Sequence, residues 1–218
     1  MTSPGSPAAV ARLADAVLAR AAGAGRERVL IGIAGPPGSG KTTLAAALVA
    51  ALRSEAGADA AQALPMDGFH LANETLDRLG RRGRKGAIDT FDGWGFVALL
   101  RRLRAAEADT VYAPTFDRRV DEPVAGAIGI AAATRIVIVE GNYLLVRRQP
   151  WSLVRGLLDE AWYCETPEDV RLARLVERHV AGGRTRAEAR TWARDVDGAN
   201  ARLIEATRGR ADRVVSGA

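Results

Sequence analysis

One stretch of this sequence constrains its fold more than any other. It fits the pattern G-x-x-x-x-G-K-[ST], whose glycines let successive backbone N–H groups turn toward one anion. In such a loop the lysine reaches nucleotide phosphates and the hydroxyl residue binds Mg²⁺. The stretch and the residue after it are Gly35, Pro36, Pro37, Gly38, Ser39, Gly40, Lys41, Thr42 and Thr43. We therefore predict a phosphate-binding loop (P-loop) at these residues.

The residues around the loop provide the context that it requires. Residues 28–34 form an apolar run typical of a buried strand, and residues 43–52 are typical of a helix. The loop would then lie at a helix N-terminus, where free N–H groups and the helix dipole favour an anion. Lys41 and Lys85 are the two lysines among 31 basic residues, so lysine at this position is unexpected by chance. A glycine-rich turn without a ligand is the alternative, which the flanking residues disfavour.

Composition restricts the class of protein. The 218 residues suffice for one domain, and 48% hydrophobic with 26% charged residues is typical of a soluble globule. The net charge of +5 is scattered and aromatic residues make up 5%, which disfavours a nucleic-acid-binding module. No apolar run reaches membrane-spanning length, and Arg12 and Asp15 interrupt any signal-peptide core. We expect a single cytoplasmic domain over residues 1–218 that binds neither nucleic acid nor membrane.

Strand-like and helix-like segments alternate along the chain. Further strands are predicted at residues 62–66, 135–141, 160–164 and 211–215, with helices between most of them. Residues 120–128 are interpreted as a loop. The alternation predicts an α/β fold, a three-layer sandwich with a mainly parallel sheet of about five strands and helices on both faces.

Two of the predicted strands end in a carboxylate. Asp67 follows residues 62–66, and Glu140 lies near the end of residues 135–141. The carboxyl ends of strands in an open α/β sheet face the ligand crevice, so Asp67 is a candidate base or metal ligand. Glu140 is expected to support the Mg²⁺ bound by Thr42. The alternatives are an Asp67 that only forms a turn and a Glu140 that only pairs with an arginine.

Two segments rich in basic residues are candidates to cover an anionic site. Residues 80–86 form a charged, glycine-rich segment, which is either a solvated mobile loop or a lid. A helix is predicted to begin near Glu168, capped by Thr166, and Arg174 and Arg178 share one of its faces. A long helix over residues 187–207 is predicted to follow it.

Together these motifs resemble the P-loop kinase group of uridine kinases, phosphoribulokinases and bacterial pantothenate kinases. Residues 66–69 are similar to the T-D-G-F of pantothenate kinases, and residues 85–92 to their K-G-F-P-E-S-Y-D. Residues 113–117 resemble their A-P-x-Y segment and the P-x-Y-D of uridine kinases. Residues 139–141 match the E-G ending of the strand beside Mg²⁺ in that group. The resemblance covers roughly residues 28–215.

The resemblance implies transfer of the γ-phosphoryl group of ATP to a hydroxyl of a small metabolite, with ATP and Mg²⁺ as cofactors. It implies a lid near residues 174–186, to which Arg184 is a further candidate contributor. The implied catalytic residues are Lys41, Asp67, Arg174 and Arg178, and the implied metal-binding residues are Thr42 and Glu140. The substrate-side candidates are Lys85, Asp92, Phe116, Asp117 and Arg118.

Departures from the group leave the acceptor open. Phe116 replaces the tyrosine, so a phenol hydroxyl is lost. Arg118 and Arg119 follow Asp117 where uridine kinases have H-S-R, and no histidine is near them in the sequence. The chain is most similar to a less characterised branch of nucleoside-kinase-like or sugar-transport-associated kinases. A nucleoside, a sugar such as fructose and a pantothenate-like compound are candidate acceptors, and a homodimer is one option.

A nucleotide hydrolase coupled to a partner protein is the rival class. Such an enzyme needs a water-positioning residue and a switch region, and the N-K-x-D signature of guanine-nucleotide proteins is absent from this sequence. Hydrolysis of nucleotide without an acceptor would favour this class.

We predict that Lys41→Ala abolishes nucleotide turnover and leaves the protein folded, because the variant loses the cation that neutralises the phosphates. Turnover is measured as ADP release, and folding by circular dichroism. A folded variant with wild-type turnover would contradict the assignment of the loop.

Overall fold

The helices and strands follow the alternation that the sequence predicts. The computed structural model describes residues 6–25, 27–107 and 109–217. The α-helices are α1 (Pro7–Gly23), α2 (Lys41–Ala56), α3 (Asn73–Arg78), α4 (Gly93–Ala105), α5 (Glu168–Ala181), α6 (Arg186–Trp192) and α7 (Gly198–Glu205). The strands are β1 (Val29–Ala34), β2 (Ala61–Pro65), β3 (Thr110–Asp117), β4 (Glu122–Ala131), β5 (Ile136–Gly141), β6 (Glu160–Glu165) and β7 (Arg213–Ser216).

Five of these strands form one parallel sheet in the order β2-β5-β1-β6-β7. All residues of β1 and β5 are buried, as their continuous apolar sequences indicate for strands covered on both faces. β2 lies at an edge of the sheet, where Pro65 is tolerated because a missing N–H costs least there. The predicted α/β fold with a mainly parallel five-stranded sheet is confirmed.

Apolar side chains pack on both faces of the sheet. On one face α1 and α2 cover β1 through residues that include Val17, Leu44 and Leu48. On the other face α4, α7 and two 3₁₀ turns within residues 151–157 form a second core that includes Phe96 and Tyr143. Burying one such side chain contributes about 1.5–3 kcal/mol. In the described part of the chain, no helix has the length and apolar character needed to cross a membrane.

The interpretation of residues 120–128 as a loop is wrong. They belong largely to β4, which pairs antiparallel with β3 and places Phe116 opposite Pro123. The segment is rich in exposed alanine and glycine, so local hydrophobic alternation does not reveal it, and the pairing with β3 supplies its backbone partners. The hairpin packs against the turn after β2, where a Cβ on Gly68 would lie 2.3 Å from the carbonyl oxygen of Pro114.

Two details near the predicted lid also differ from expectation. Thr166 does not cap α5; Pro167 occupies the N-cap position, and the Thr166 hydroxyl donates to the Ser39 carbonyl at 2.9 Å. The predicted long helix is made of α6 and α7 joined by a π-helical segment over Ala193–Asp197. Such a segment inserts an extra residue into the helix, which composition does not reveal.

Arg28 provides a test of how the layers are held together. Its buried guanidinium donates to the carbonyl oxygens of Leu103 in α4, Ala131 in β4 and Thr134. We predict that Arg28→Ala lowers the free energy of unfolding by about 3 kcal/mol, because three carbonyl groups lose their donor. The measurement is urea denaturation.

Arg101→Ala is the matched control, since Arg101 is an exposed arginine of α4. Its free energy of unfolding should stay within about 0.5 kcal/mol of the wild type. Equal effects of the two substitutions would contradict the role assigned to Arg28.

Candidate active site

Three adjacent strands bring the predicted functional residues to one edge of the sheet. The P-loop joins the end of β1 to the start of α2. Glu140 of β5 is in register with Ile33 of β1 on one side and with Pro65 of β2 on the other. Asp67 lies two residues beyond Pro65, in a short 3₁₀ turn. Since paired strands are about 4.8 Å apart, the loop, Glu140 and Asp67 face one crevice.

The glycines of the loop are required by conformation and by close packing. Gly38 and Gly40 have φ values of 77° and 87°, in the region that side chains disfavour. A Cβ on Gly38 would lie 2.8 Å from the carbonyl oxygen of Arg171. The loop therefore fits closely against α5, with its amides at the N-terminus of α2, which is a geometry suited to an anion.

Lys41 is a buried cation inside this loop. Its Nζ donates to the Pro36 carbonyl at 3.0 Å. Burial lowers the pKa of Lys41, and the nearby Glu140, Cys164 and Asp67 act in the opposite direction. A buried ammonium with a neutral hydrogen-bond partner is suited to an anionic ligand. The donor set therefore fits the phosphates of a nucleotide.

Thr42 and Glu140 meet beside the loop. The Thr42 hydroxyl donates to Glu140 Oε1 at 2.9 Å. Glu140 is 5% exposed. Burial, together with repulsion from Asp67, raises its pKa to about 7, while Lys41 and the Thr42 hydrogen bond act in the opposite direction. The hydroxyl and carboxylate oxygens are ligands of the kind that Mg²⁺ prefers.

Asp67 faces positive charge from two other elements. Arg118, which follows β3, places Nη2 3.9 Å from Asp67 Oδ2, and the Asp67 side chain is 35% exposed. Arg178 of α5 interacts electrostatically with Asp67, Arg118 and Asp197. Among the described residues, the guanidinium of Arg178 has no hydrogen-bond or ion-pair partner. Asp67 is therefore accessible and surrounded by cations that can also bind an anionic group.

The other arginines of α5 and the following turn have different surroundings. Arg174 Nη1 donates to the Gly38 carbonyl at 3.4 Å, and Arg171 Nη1 to the Pro37 carbonyl at 3.5 Å. Arg184 stacks on Trp192, with its guanidinium carbon 4.0 Å from the ring centroid. Sequence reasoning had not assigned Arg171 to the site; its spacing of four from buried Leu175 is the signal that could have indicated it.

Some substrate-side candidates converge on Asp67. The Lys85 ammonium lies 4.9 Å from the centroid of the Phe116 ring and donates to Asn73 Oδ1 and Asp121 Oδ2. Phe116 and Arg118 lie on the same hairpin, so their segment meets the Asp67 turn.

Two other candidates have local partners of their own. Asp92 Oδ1 accepts from the Gly95 amide at 2.8 Å and caps α4. Asp117 accepts three hydrogen bonds from Arg119, which lower the pKa of that carboxyl to about 2. Their carboxylates therefore support the local backbone and the hairpin end.

The structure adds a residue that sequence reasoning did not assign. His70 Nδ1 lies 2.7 Å from the Asp67 carbonyl oxygen. Its ring lies between Phe91 and Phe116, with centroid distances of 4.0 Å and 4.7 Å. Although no histidine is near Phe116 in the sequence, the fold brings one into contact. Its position three residues after Asp67 is the signal that could have indicated it.

These features define a class of protein. A phosphate-binding loop lies at the carboxyl edge of a parallel sheet, beside an accessible aspartate and a helix that carries arginines. This arrangement is that of a P-loop kinase.

Comparison with known proteins identifies the family. The model of the phosphoribulokinase/uridine kinase family matches residues 30–215. The chain therefore belongs to this family, and it is an ATP-dependent kinase of a small molecule.

Relatives and solved structures agree with this result. A protein of Schizosaccharomyces pombe provisionally described as a uridine kinase is 41% identical over 162 residues, which cover 72% of this chain and 69% of that protein. YggC of Escherichia coli K12, described as uncharacterised, is 34% identical over 82% of this chain and 73% of its own. The crystal structure of a protein from Silicibacter sp. TM1040, provisionally described as a fructose transport system kinase, superposes with a TM-score of 0.85. It is 40% identical and the match covers 94% of this chain and 98% of that one.

The raised pKa of Glu140 predicts a pH-dependent stability. A carboxyl whose native pKa lies above its ordinary 4.5 stabilises the fold most below that value, and the contribution is lost as pH rises toward 7. The free energy of unfolding of the wild type should therefore fall between pH 4.5 and 7 relative to Glu140→Gln. The measurement is urea denaturation in the presence of a chelator.

Glu55→Gln is the control, since Glu55 is exposed near the end of α2. This variant should keep the pH dependence of the wild type. A constant difference between wild type and Glu140→Gln across the range would contradict the prediction.

Proposed function

We propose that this kinase transfers the γ-phosphoryl group of ATP to a hydroxyl of a small polyhydroxy compound, with Asp67 as the base. The observation that carries the proposal is the placement of an accessible Asp67 opposite the Thr42–Glu140 pair at one sheet edge. A sugar such as fructose is our first candidate, supported by the description of the Silicibacter relative. A nucleoside and a pantothenate-like compound are the other candidates.

The donor half of the site positions the nucleotide. The amides at the start of α2 and the Lys41 ammonium bind the phosphates and neutralise charge on their oxygens. Thr42 and Glu140 are the residues that would hold Mg²⁺, and the ion, when bound, supplies further charge neutralisation. Within the described ranges no group of three or more acidic, histidine or cysteine side chains could form a metal site alone. Water and phosphate oxygens would therefore complete the coordination, as is usual for Mg²⁺.

The acceptor half orients one hydroxyl. Asp67 accepts a hydrogen bond from this hydroxyl and takes its proton as the new bond to phosphorus forms. Arg118 and Arg178 lie near enough to Asp67 to interact with it electrostatically, so they can stabilise negative charge on the phosphoryl group. Lys85 and Phe116 border the space for the acceptor. Asp92 and Asp117 remain further substrate-side candidates.

We further propose that residues 174–186 act as a lid within a single domain. Arg174 contacts the P-loop, and Arg178 reaches toward Asp67 from the same helix face. Closure would exclude water, which limits the wasteful hydrolysis of ATP. Dependence on ATP also supports a cytoplasmic location for this reaction.

An ATP-consumption screen tests the proposed reaction. Purified protein, ATP and Mg²⁺ are incubated separately with D-fructose, uridine or pantothenate, and ADP release is recorded. We expect ADP release that depends on the acceptor, with a phosphorylated product detected by mass spectrometry. Equal ADP release with and without every acceptor would instead indicate a nucleotide hydrolase.

We predict that Asp67→Asn lowers kcat by about 10²–10⁴-fold with little change in the KM for ATP, because the base is lost while the phosphate contacts remain. Steady-state kinetics with the active acceptor is the measurement. Asp59→Asn is the matched control, since exposed Asp59 precedes β2 at its opposite end. Unchanged turnover in Asp67→Asn would leave Asp67 with a turn-forming role only.

A further inference from the structure

Asp197 is a buried carboxylate to which the proposed reaction gives no role. It lies at the end of the π-helical segment between α6 and α7 and is 7% exposed. Its Oδ2 accepts a hydrogen bond from Nε2 of His179 at 2.7 Å. In the described part of the chain, neither a lysine nor an arginine forms an ion pair with it. A buried carboxylate is costly unless positive charge lies nearby, so the cations around Asp197 matter.

One cation that Asp197 acts on is Arg178, the residue before His179 in α5. Burial lowers the pKa of Arg178, and Asp197 opposes this shift more strongly than Asp67 does, while Arg118 acts in the same direction as burial. The guanidinium of Arg178 has no hydrogen-bond or ion-pair partner among the described residues. Its orientation therefore depends on charges that act over a longer distance, and Asp197 is the largest of them.

His179 fixes the position of the Asp197 carboxylate. Arg184 Nη1 lies 3.5 Å from Nδ1 of His179, and a guanidinium can only donate. Nδ1 is therefore the acceptor, and Nε2 carries the hydrogen that it donates to Asp197. Arg184 in turn stacks on Trp192, the residue before the π-helical segment. Two contacts thus join the end of α5 to this segment and hold the carboxylate beside the last turn of α5.

The charge of Asp197 is not explained by the packing of the two helices. A neutral amide at this position would accept the same hydrogen bond from His179, and its burial would cost less than that of a carboxylate. Because Arg178 lacks a partner of its own, a negative charge fixed near it does have a use. The charge therefore points to a role that involves Arg178.

We propose that Asp197 is a positioning residue, whose carboxylate holds the guanidinium of Arg178 toward Asp67 and the phosphoryl group in transfer. The inference rests on the proposed function, in which Arg178 stabilises negative charge on that group. Asp197 acts through Arg178 and contacts neither ATP nor the acceptor. An arginine that is already oriented stabilises the transition state without the entropy cost of ordering its side chain during the reaction.

The first test needs no acceptor. Crystal structures of the wild type and of Asp197→Asn are determined with ADP and Mg²⁺. The substitution keeps an acceptor for the His179 hydrogen bond and removes only the charge. We therefore expect the His179 contact to be retained and the Arg178 guanidinium to turn away from Asp67. An Arg178 in the same position in both structures would overturn the proposal.

The second test is a double-mutant cycle in kcat, with the acceptor that proves active among D-fructose, uridine and pantothenate. Asp197→Asn should lower kcat about tenfold and leave the KM for ATP within about twofold, because the P-loop contacts remain. In an Arg178→Ala background the same substitution should change kcat by less than about twofold, since the residue through which Asp197 acts is absent. Asp195→Asn is the matched control, an exposed aspartate of the same π-helical segment, and should keep the wild-type kcat.

The outcomes separate this proposal from the proposed reaction. If the wild type shows no acceptor-dependent ADP release, the reaction fails, and the crystal structures still decide whether Asp197 orients Arg178. If the wild type is active, the positioning role is overturned when Asp197→Asn keeps the wild-type kcat or lowers kcat by the same factor in both backgrounds. A fall in Tm that accounts for the lost activity would indicate a structural role only and would also overturn it.

Discussion

Backbone amides can face an anion only if the carbonyl oxygens of the same loop find donors elsewhere. In this protein four successive carbonyl groups of the P-loop have side-chain donors. These are Lys41 for Pro36, Arg171 for Pro37, Arg174 for Gly38 and Thr166 for Ser39. Most of the donors come from the segment that begins at the end of β6. The loop is therefore held by its carbonyl side, and its amides remain available to phosphate.

This arrangement links the two halves of the site through one helix. The first turns of α5 carry the arginines that hold the loop, and its last turn carries Arg178 toward Asp67. Arg171 is in addition fixed by Glu205 of α7 at 2.7 Å. Because the N-terminal half of α5 is attached to the loop, we propose that movement of the proposed lid begins beyond Arg178, where the helix ends before Gly182 and Gly183.

Charge is balanced across the crevice by groups from different elements. Lys41 lies near Glu140 and Asp67, and Arg118 and Arg178 approach Asp67 from the other side. Burial raises the pKa of Glu140, and repulsion from the Asp67 carboxyl acts in the same direction. Bound metal would add positive charge to the site, and bound phosphate would add negative charge. We therefore infer that the charges of the site are fully balanced only when nucleotide and metal are bound.

The sequence by itself determined the loop, the parallel sheet and the two strand-end carboxylates. The loop is indicated by the spacing of its glycines, and the sheet by the apolar runs of β1 and β5. Both are local patterns, which can be recognised without knowing the rest of the fold. Only the tertiary structure decided that residues 122–131 form a strand, that Arg171 holds the loop and that His70 meets Phe116. The strand depends on pairing with β3, whose residues lie 5 to 21 positions away, and the contacts of Arg171 and His70 join residues 46 or more positions apart in the chain. No local pattern encodes such contacts, because they arise when the sheet order and the hairpin bring separate segments together.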